Sequence, residues 1–166
     1  MTLNPLNSKP YNFKLFPLTS FIDLSKIYLF AEFKIWKIND DGDKVALVDA
    51  DNVSCLQMPG LTFIKNLSVS INQREVYYSN QLYPYKCYLD TELSFPVSVK
   101  DSYLSVTGYF RDASNQNDFA SSSGGLVKRK GCFAKSKPFQ TICRLNADIF
   151  NTNRFLINNC EVFQIL

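Results

Sequence analysis

Hydrophobic and polar residues alternate along several short stretches of this chain. Leu67, Val69 and Ile71 alternate with two serines, and a period of two places the apolar side chains on one face of a β-strand. A polar corner at residues 72–75 and a short apolar run at residues 76–78 follow. The pattern therefore predicts two strands joined by a tight turn.

The period changes at the Tyr-Pro-Tyr sequence that follows this hairpin. Proline suits the first turn of a helix, because its missing N–H would be unbonded there anyway. Tyr85, Leu89 and Leu93 then recur every four residues, and Tyr88 lies on the same side. We predict a helix over residues 83–93 whose apolar face packs on the sheet.

Residues 27–38 form the longest strand pattern. Apolar residues line one face of this stretch, and the opposite face mixes three aromatic side chains with Glu32 and Lys34. The aromatic residues are Tyr28, Phe30 and Trp36. Such an amphipathic second face indicates partial cover by a loop, a helix or a neighbouring subunit.

Further strand patterns occur on both sides of the predicted helix, at residues 11–18, 103–110, 139–150 and 155–166. Short strands separated by long loops indicate an antiparallel two-sheet sandwich or barrel. The eight-stranded jelly roll is the member of this group that tolerates large loop insertions. The predicted fold class is therefore all-β: an eight-stranded antiparallel jelly-roll sandwich with one short inserted helix, in a single domain over residues 1–166.

Two segments are predicted to lie outside the strands. Residues 1–10 are polar with two prolines and indicate a flexible N-terminal arm. Residues 111–125 are rich in Ser, Asn, Asp and Gly, which is typical of a long surface loop. The Gly124-Gly125 pair precedes neither the lysine-serine pair nor the helix pattern of a phosphate-binding loop, so we expect a plain surface loop there.

Residues 126–137 carry the one basic cluster, which contains Lys128, Arg129 and Lys130. One interpretation is contact with nucleic acid or with an acidic partner surface. The other is a solvated strand edge whose charges prevent edge-to-edge aggregation. The chain carries 18 basic and 15 acidic residues, a net charge of +3, and this near balance does not by itself argue for nucleic-acid binding.

The composition lowers the expectation of an enzyme or a metal centre. There is no histidine, the commonest general base and metal ligand. The five cysteines lack C-x-x-C spacing, so we expect free, mostly buried thiols in a reducing compartment. The acidic turn at residues 39–43 lacks the flanking helices of a calcium loop. We predict no catalytic residue, no metal and no cofactor.

Targeting signals are not evident in the sequence. The first residues contain no apolar core of a signal peptide, so secretion is not expected. No apolar run approaches the ~18 residues that indicate a membrane-spanning helix.

Five segments together resemble the major capsid proteins of Polinton (Maverick) elements and of adintoviruses. They are F-I-D-L-S-K-I-Y-L at 21–29, L-S-V-S-I-N at 67–72, Y-P-Y-K-C-Y-L-D-T-E-L at 83–93, G-L-V-K-R-K at 125–130 and R-L-N-A-D-I-F-N-T-N-R-F-L-I-N-N at 144–159. Their order and spacing agree with the family over nearly the whole chain. The chain departs from it where Asn72-Gln73 replaces a hairpin Asn-Gly and where Asn146 replaces a histidine, which suggests a diverged or domesticated copy.

The resemblance implies a structural protein of an icosahedral shell. In such shells double jelly rolls form trimeric capsomers, and this chain is similar to the first roll. Tyr28, Phe30 and Trp36 would then pack against a second roll or a neighbouring subunit, with a minor capsid protein as a further partner. The location would be the virion, after expression in the host nucleus or cytoplasm. The alternative is a free-standing jelly-roll module that binds carbohydrate or protein, such as a domesticated capsid remnant.

Overall fold

The structure, a computed structural model, covers most of the chain. It describes residues 10–15, 21–112, 119, 124–158 and 160–165, without the side chains of the last three residues of that range. Nearly all of the predicted N-terminal arm and most of the predicted loop over residues 111–125 lie outside the described residues.

The described part is β-rich with several short helices. Its strands are β1 (Asn12–Leu15), β2 (Ile22–Asp23), β3 (Tyr28–Phe33), β4 (Lys37–Ile38), β5 (Lys44–Val45), β6 (Ser68–Ile71), β7 (Arg74–Tyr78), β8 (Phe139–Arg144), β9 (Phe155–Leu156) and β10 (Val162–Ile165). Its α-helices are α1 (Pro59–Thr62), α2 (Tyr83–Ser94), α3 (Val97–Asp101) and α4 (Gly125–Cys132). Short 3-10 helices occupy Leu24–Lys26, Tyr103–Thr107, Ala134–Ser136 and Asp148–Asn151.

The chain divides into two compact units. The first contains residues 1–27, 64–87 and 144–166, and the second contains residues 28–63 and 88–143. The first unit holds a four-stranded antiparallel sheet in the order β1-β10-β6-β7 and the pair β2–β9. The second unit holds the pairs β3–β8 and β4–β5.

The predicted hairpin of the first unit is confirmed. Ile71 faces Arg74 across a two-residue turn, and the two turn residues have positive φ angles, 48° at Asn72 and 66° at Gln73. A two-residue turn with positive φ at both positions matches the twist of the strands that it joins. Asn tolerates this conformation well, and Gln takes the place of the more usual glycine.

Each unit has its own buried apolar core. In the first unit the buried apolar side chains include Leu24, Ile64, Leu67, Val69, Tyr83, Cys87, Leu145, Ala147, Phe150 and Val162. In the second they include Met58, Leu104, Tyr109, Phe133 and Cys143. Leu67 and Val69 therefore face the core, as the alternating pattern predicts.

The expectation of a single helix is wrong. The predicted strand over residues 103–110 is a 3-10 helix, in which the Thr107 hydroxyl donates to the Leu104 carbonyl at 2.7 Å. Hydroxyl side chains that bond nearby carbonyls in this way favour turns over strands. Gly108, with φ of +82°, then ends the helix in a left-handed conformation, which glycine adopts without steric cost.

Helix α2 is confirmed, but the prediction of its buried face is wrong. Tyr85 is 70% exposed and Leu93 is 84% exposed, whereas Tyr83 and Cys87 are fully buried. The Tyr83 hydroxyl accepts a hydrogen bond of 2.9 Å from the Asn146 backbone N–H. Both faces repeat every four residues, so spacing alone does not distinguish them.

Candidate functional site

The outward side of the β3–β8 pair carries two of the three aromatic side chains that the sequence predicted as an interaction surface. Exposed and half-buried residues alternate along β3, which confirms the predicted two-residue period. Tyr28 is 54% exposed and Phe30 is 58% exposed. The next residue, Ala31, is half-buried and belongs to the opposite face of the strand. The two aromatic rings therefore occupy one strand face, two residues apart.

Strand β8 contributes a third apolar side chain, Ile142, which the sequence did not predict as part of this surface. Thr141 Oγ1 donates to the Ala31 carbonyl at 3.4 Å, and Gln140 Nε2 donates to Glu32 Oε2 at 2.9 Å. Residue numbers therefore rise along β3 as they fall along β8, which indicates antiparallel pairing. The same register places Ile142 opposite Phe30.

Ile142 is 48% exposed. We call Tyr28, Phe30 and Ile142 the outer β3–β8 face. The sequence pattern marks Ile142 as a strand residue, but it carries no signal for which distant strand is the partner of β3.

Trp36 is separate from this face. Strand β3 ends at Phe33, so the predicted continuous strand over residues 27–38 is wrong. Beyond this end, the Ile35 carbonyl accepts a hydrogen bond of 2.6 Å from the hydroxyl of Ser136. Trp36 is itself exposed, but it lies beyond the end of the strand that carries Tyr28 and Phe30.

The inner side of β8 lies very close to helix α1. Cys143 Sγ is 3.3 Å from the Gly60 carbonyl oxygen. A Cβ atom placed on Gly60 would lie only 2.6 Å from Thr141 Oγ1, a distance shorter than van der Waals contact. Only glycine lets the helix backbone approach β8 this closely, and the contact supports the outer face from behind.

The three basic residues predicted as an interaction surface do not share one surface. They lie on α4, so the interpretation of the cluster as a solvated strand edge is wrong. Lys128 is exposed, Lys130 is half-buried and donates to Asn52 Oδ1 at 3.0 Å, and Arg129 is only 4% exposed. Successive residues of a helix point about 100° apart, which separates the three charges.

Arg129 instead joins three segments of the second unit. Its guanidinium donates to the Phe110 carbonyl at 2.9 Å, to the Cys55 carbonyl at 3.1 Å and to Asp112 Oδ1 at 3.0 Å. Gln57 Nε2 also donates to Asp112, at 3.1 Å. A sequence pattern that counts arginine as a surface residue does not reveal this role.

A second charged network surrounds Glu92 near the end of α2. Lys100 Nζ is 2.6 Å from Glu92 Oε2 and 2.8 Å from the Glu92 carbonyl oxygen, and the Tyr109 hydroxyl donates to Glu92 Oε1 at 2.8 Å. A cation near a helix C-terminus is favourable. Burial raises the pKa of Tyr109, and the bond to Glu92 raises it further, so this hydroxyl remains a proton donor.

The described residues contain neither a cluster of metal ligands nor a helix that could span a membrane. Within them, no group of three or more His, Cys, Asp or Glu side chains could hold a metal ion. Likewise, none of the described helices has the length and apolar character needed to cross a bilayer.

Comparison with known proteins gives one relative. An uncharacterized protein of Caenorhabditis elegans, F54H12.2, is 27% identical over an alignment of 151 residues, which covers 86% of this chain and 33% of the worm protein. The chain thus spans about one third of the length of that relative. No protein-family model and no solved structure matches the chain.

Proposed function

We propose that this chain is a structural protein that assembles with neighbouring copies through its outer β3–β8 face. In finer terms, it is an eight-stranded jelly-roll module like the first roll of a double jelly-roll major capsid protein. The observation that carries the proposal is the outer β3–β8 face itself, where Tyr28, Phe30 and Ile142 are exposed together.

The physical argument rests on the free energy of covering these side chains. Full burial of one large apolar side chain contributes about 1.5–3 kcal/mol. Tyrosine is enriched among the residues that dominate interfaces, because it combines a large apolar ring with a polar end. Gly60 lets α1 pack tightly behind β8, so the face needs little reorganisation when a partner binds.

The order of strand pairing supports the jelly-roll part of the proposal. Strands from the start of the chain pair with strands from its end in reverse order: β1 with β10, β2 with β9 and β3 with β8. Nested pairing of this kind arises when one long antiparallel hairpin folds over on itself, which is how a jelly roll forms its Greek keys.

The buried charged networks favour a structural role over a catalytic one. Arg129 and Lys100 direct their donors at carbonyl and carboxylate oxygens of the same unit. Groups held in this way fix the positions of helices and loops, and they are not free to bind a substrate. We therefore propose no catalytic residue for this chain.

The partners that we propose are further copies of the chain, a second jelly roll and a minor capsid protein. The trimeric capsomer is the expected assembly, and the virion is its expected location after synthesis in the host cell. The worm relative has room for a second roll outside its matched third. Binding of nucleic acid is not part of the proposal, because Arg129 is buried in the second unit.

Size-exclusion chromatography with light scattering tests the assembly, combined with electron microscopy of the fractions. We expect the mass to rise with protein concentration towards trimers or larger shells. A folded monomer at high concentration would overturn the proposal. A monomer that binds an oligosaccharide or another protein through Tyr28 and Phe30 would favour the alternative, a free-standing jelly-roll binding module derived from a capsid protein.

A further inference from the structure

Two half-buried cysteines of the second unit lie on segments that run side by side. The Ser54 hydroxyl donates to the Leu126 carbonyl at 3.2 Å, and Arg129 Nε donates to the Cys55 carbonyl at 3.1 Å. Cys132 follows Arg129 by three residues, about one turn along the same side of α4. The segment that contains Cys55 therefore runs along the helix face that leads to Cys132.

The electrostatics of the thiols agree with this placement. Burial raises the pKa of Cys55 to about 11; nearby Arg129 acts to lower it, and the neighbouring Cys132 thiol acts to raise it further. This influence of one thiol on the other agrees with the contacts between their two segments. Both side chains are half-buried, so a small reagent can reach them, whereas Cys87 and Cys143 are fully buried.

We propose that Cys55 and Cys132 form an intramolecular disulfide when the protein meets a disulfide oxidant such as glutathione disulfide. One cysteine thiolate attacks a sulfur of the oxidant, forms a mixed disulfide and releases one glutathione thiolate. The second cysteine thiolate then attacks the mixed disulfide and releases the other. The cysteine pair loses two electrons and two protons, and the glutathione disulfide gains them as two glutathione molecules.

The bond would fix a segment that has little structure of its own. Residues 46–58 form no helix or strand, and side-chain bonds such as those of Ser54 and Gln57 hold the segment in place. A disulfide that closes a long loop stabilises mainly by restricting the unfolded chain. The protein would therefore be more stable in an oxidising medium than in a reducing one, whatever its function.

Thiol mapping tests the proposal on the full chain. The protein is equilibrated with mixtures of reduced and oxidised glutathione, quenched with an alkylating agent and digested for mass spectrometry. We expect two of the five thiols to disappear together, with one cross-linked peptide that joins Cys55 to Cys132. The disulfide should form slowly at neutral pH and faster at alkaline pH. Burial raises the pKa of both thiols, so less of the reactive thiolate is present at neutral pH.

Three serine variants separate the possible outcomes. Cys55→Ser and Cys132→Ser should each abolish the cross-link, whereas Cys160→Ser, which changes a half-buried cysteine of the first unit, should leave it intact. Oxidation should also raise the thermal midpoint of the wild-type protein and of Cys160→Ser, but not of Cys55→Ser. Mixed disulfides with glutathione only, or cross-links between copies, would overturn the proposal.

Discussion

Arg129 and Asp112 form a shielded ion pair, with 3.0 Å between Nη2 of the arginine and Oδ1 of the aspartate. The same guanidinium donates to two backbone carbonyls from distant parts of the second unit. Because all of these partners are intramolecular, the charge in the middle of the basic cluster contributes to the fold and not to a surface.

Arg129→Ala should lower the free energy of unfolding by about 3–5 kcal/mol, because it removes the buried cation of a shielded ion pair and the donor to the Cys55 and Phe110 carbonyls. Lys128→Ala is the matched control on the same helix, and it should change the free energy by less than about 0.5 kcal/mol, since Lys128 is exposed. Urea unfolding followed by circular dichroism measures both. Equal effects would contradict the structure.

Helix α2 offers a second matched pair, which tests which of its faces is buried. Tyr83→Ala should cost about 3–5 kcal/mol, because it removes a fully buried ring and a hydrogen bond to Asn146. Tyr85→Ala should cost less than about 0.5 kcal/mol, since Tyr85 is exposed. Thermal or urea unfolding gives the ranking. A larger loss for Tyr85→Ala than for Tyr83→Ala would instead support the buried face that spacing alone predicts.

Two glycines should respond to alanine with opposite signs. In Gly60→Ala the new methyl group would lie 2.6 Å from Thr141 Oγ1, and overpacking of this kind costs about 1–3 kcal/mol. In Gly131→Ala the methyl group meets nothing within 4 Å, and the change should stabilise helix α4 by up to about 1 kcal/mol. Unfolding by urea measures both, and a stabilising Gly60→Ala would refute the close contact between α1 and β8.

The Glu92 network should make the free energy of unfolding depend on pH in the acidic range. Burial acts to raise the pKa of Glu92, but the hydrogen bonds from Lys100 and Tyr109 outweigh it, and the pKa lies below its ordinary value of 4.5. A carboxyl whose pKa is lower in the folded state stabilises the protein above the unfolded-state pKa. That stabilisation is lost as pH falls through the folded-state pKa.

Glu92→Gln should therefore remove this part of the pH dependence while the wild type loses stability in acid. The variant should be less stable than the wild type at neutral pH, and the difference should shrink as the pH falls below the ordinary carboxyl pKa of 4.5. Asp41→Asn, in an exposed turn, is the control and should follow the wild-type curve. Urea midpoints across the acidic range measure the effect, and a difference that is constant with pH would contradict it.

Charge on the outer β3–β8 face should prevent self-association. Phe30→Glu places a carboxylate that would lose its hydration in the proposed interface, so we expect at least a tenfold weaker association, about 1.4 kcal/mol. Val48→Glu is the matched control, because both side chains are 58% exposed and Val48 lies outside this face. Light scattering across a concentration series measures the effect. Equal weakening by both variants would point to general charge repulsion.

The sequence alone determined the features that depend on near neighbours. The alternation along β3 is confirmed by its burial pattern, the hairpin at Asn72 and Gln73 by its turn, and α2 by its bounds. Alternation, turn residues and helix starts follow from backbone sterics and from side chains a few positions apart. These local effects can therefore be inferred directly from the order of the residues.

Only the tertiary structure decided which of two compatible arrangements each segment takes. It buried Tyr83 and left Tyr85 exposed, it buried Arg129 against Asp112, and it placed Ile142 opposite Phe30. Each outcome depends on a partner far away in the chain, such as Asn146 for Tyr83. Burial and ion pairing gain their energy from such distant contacts, and a local pattern of hydrophobic and polar residues does not contain them.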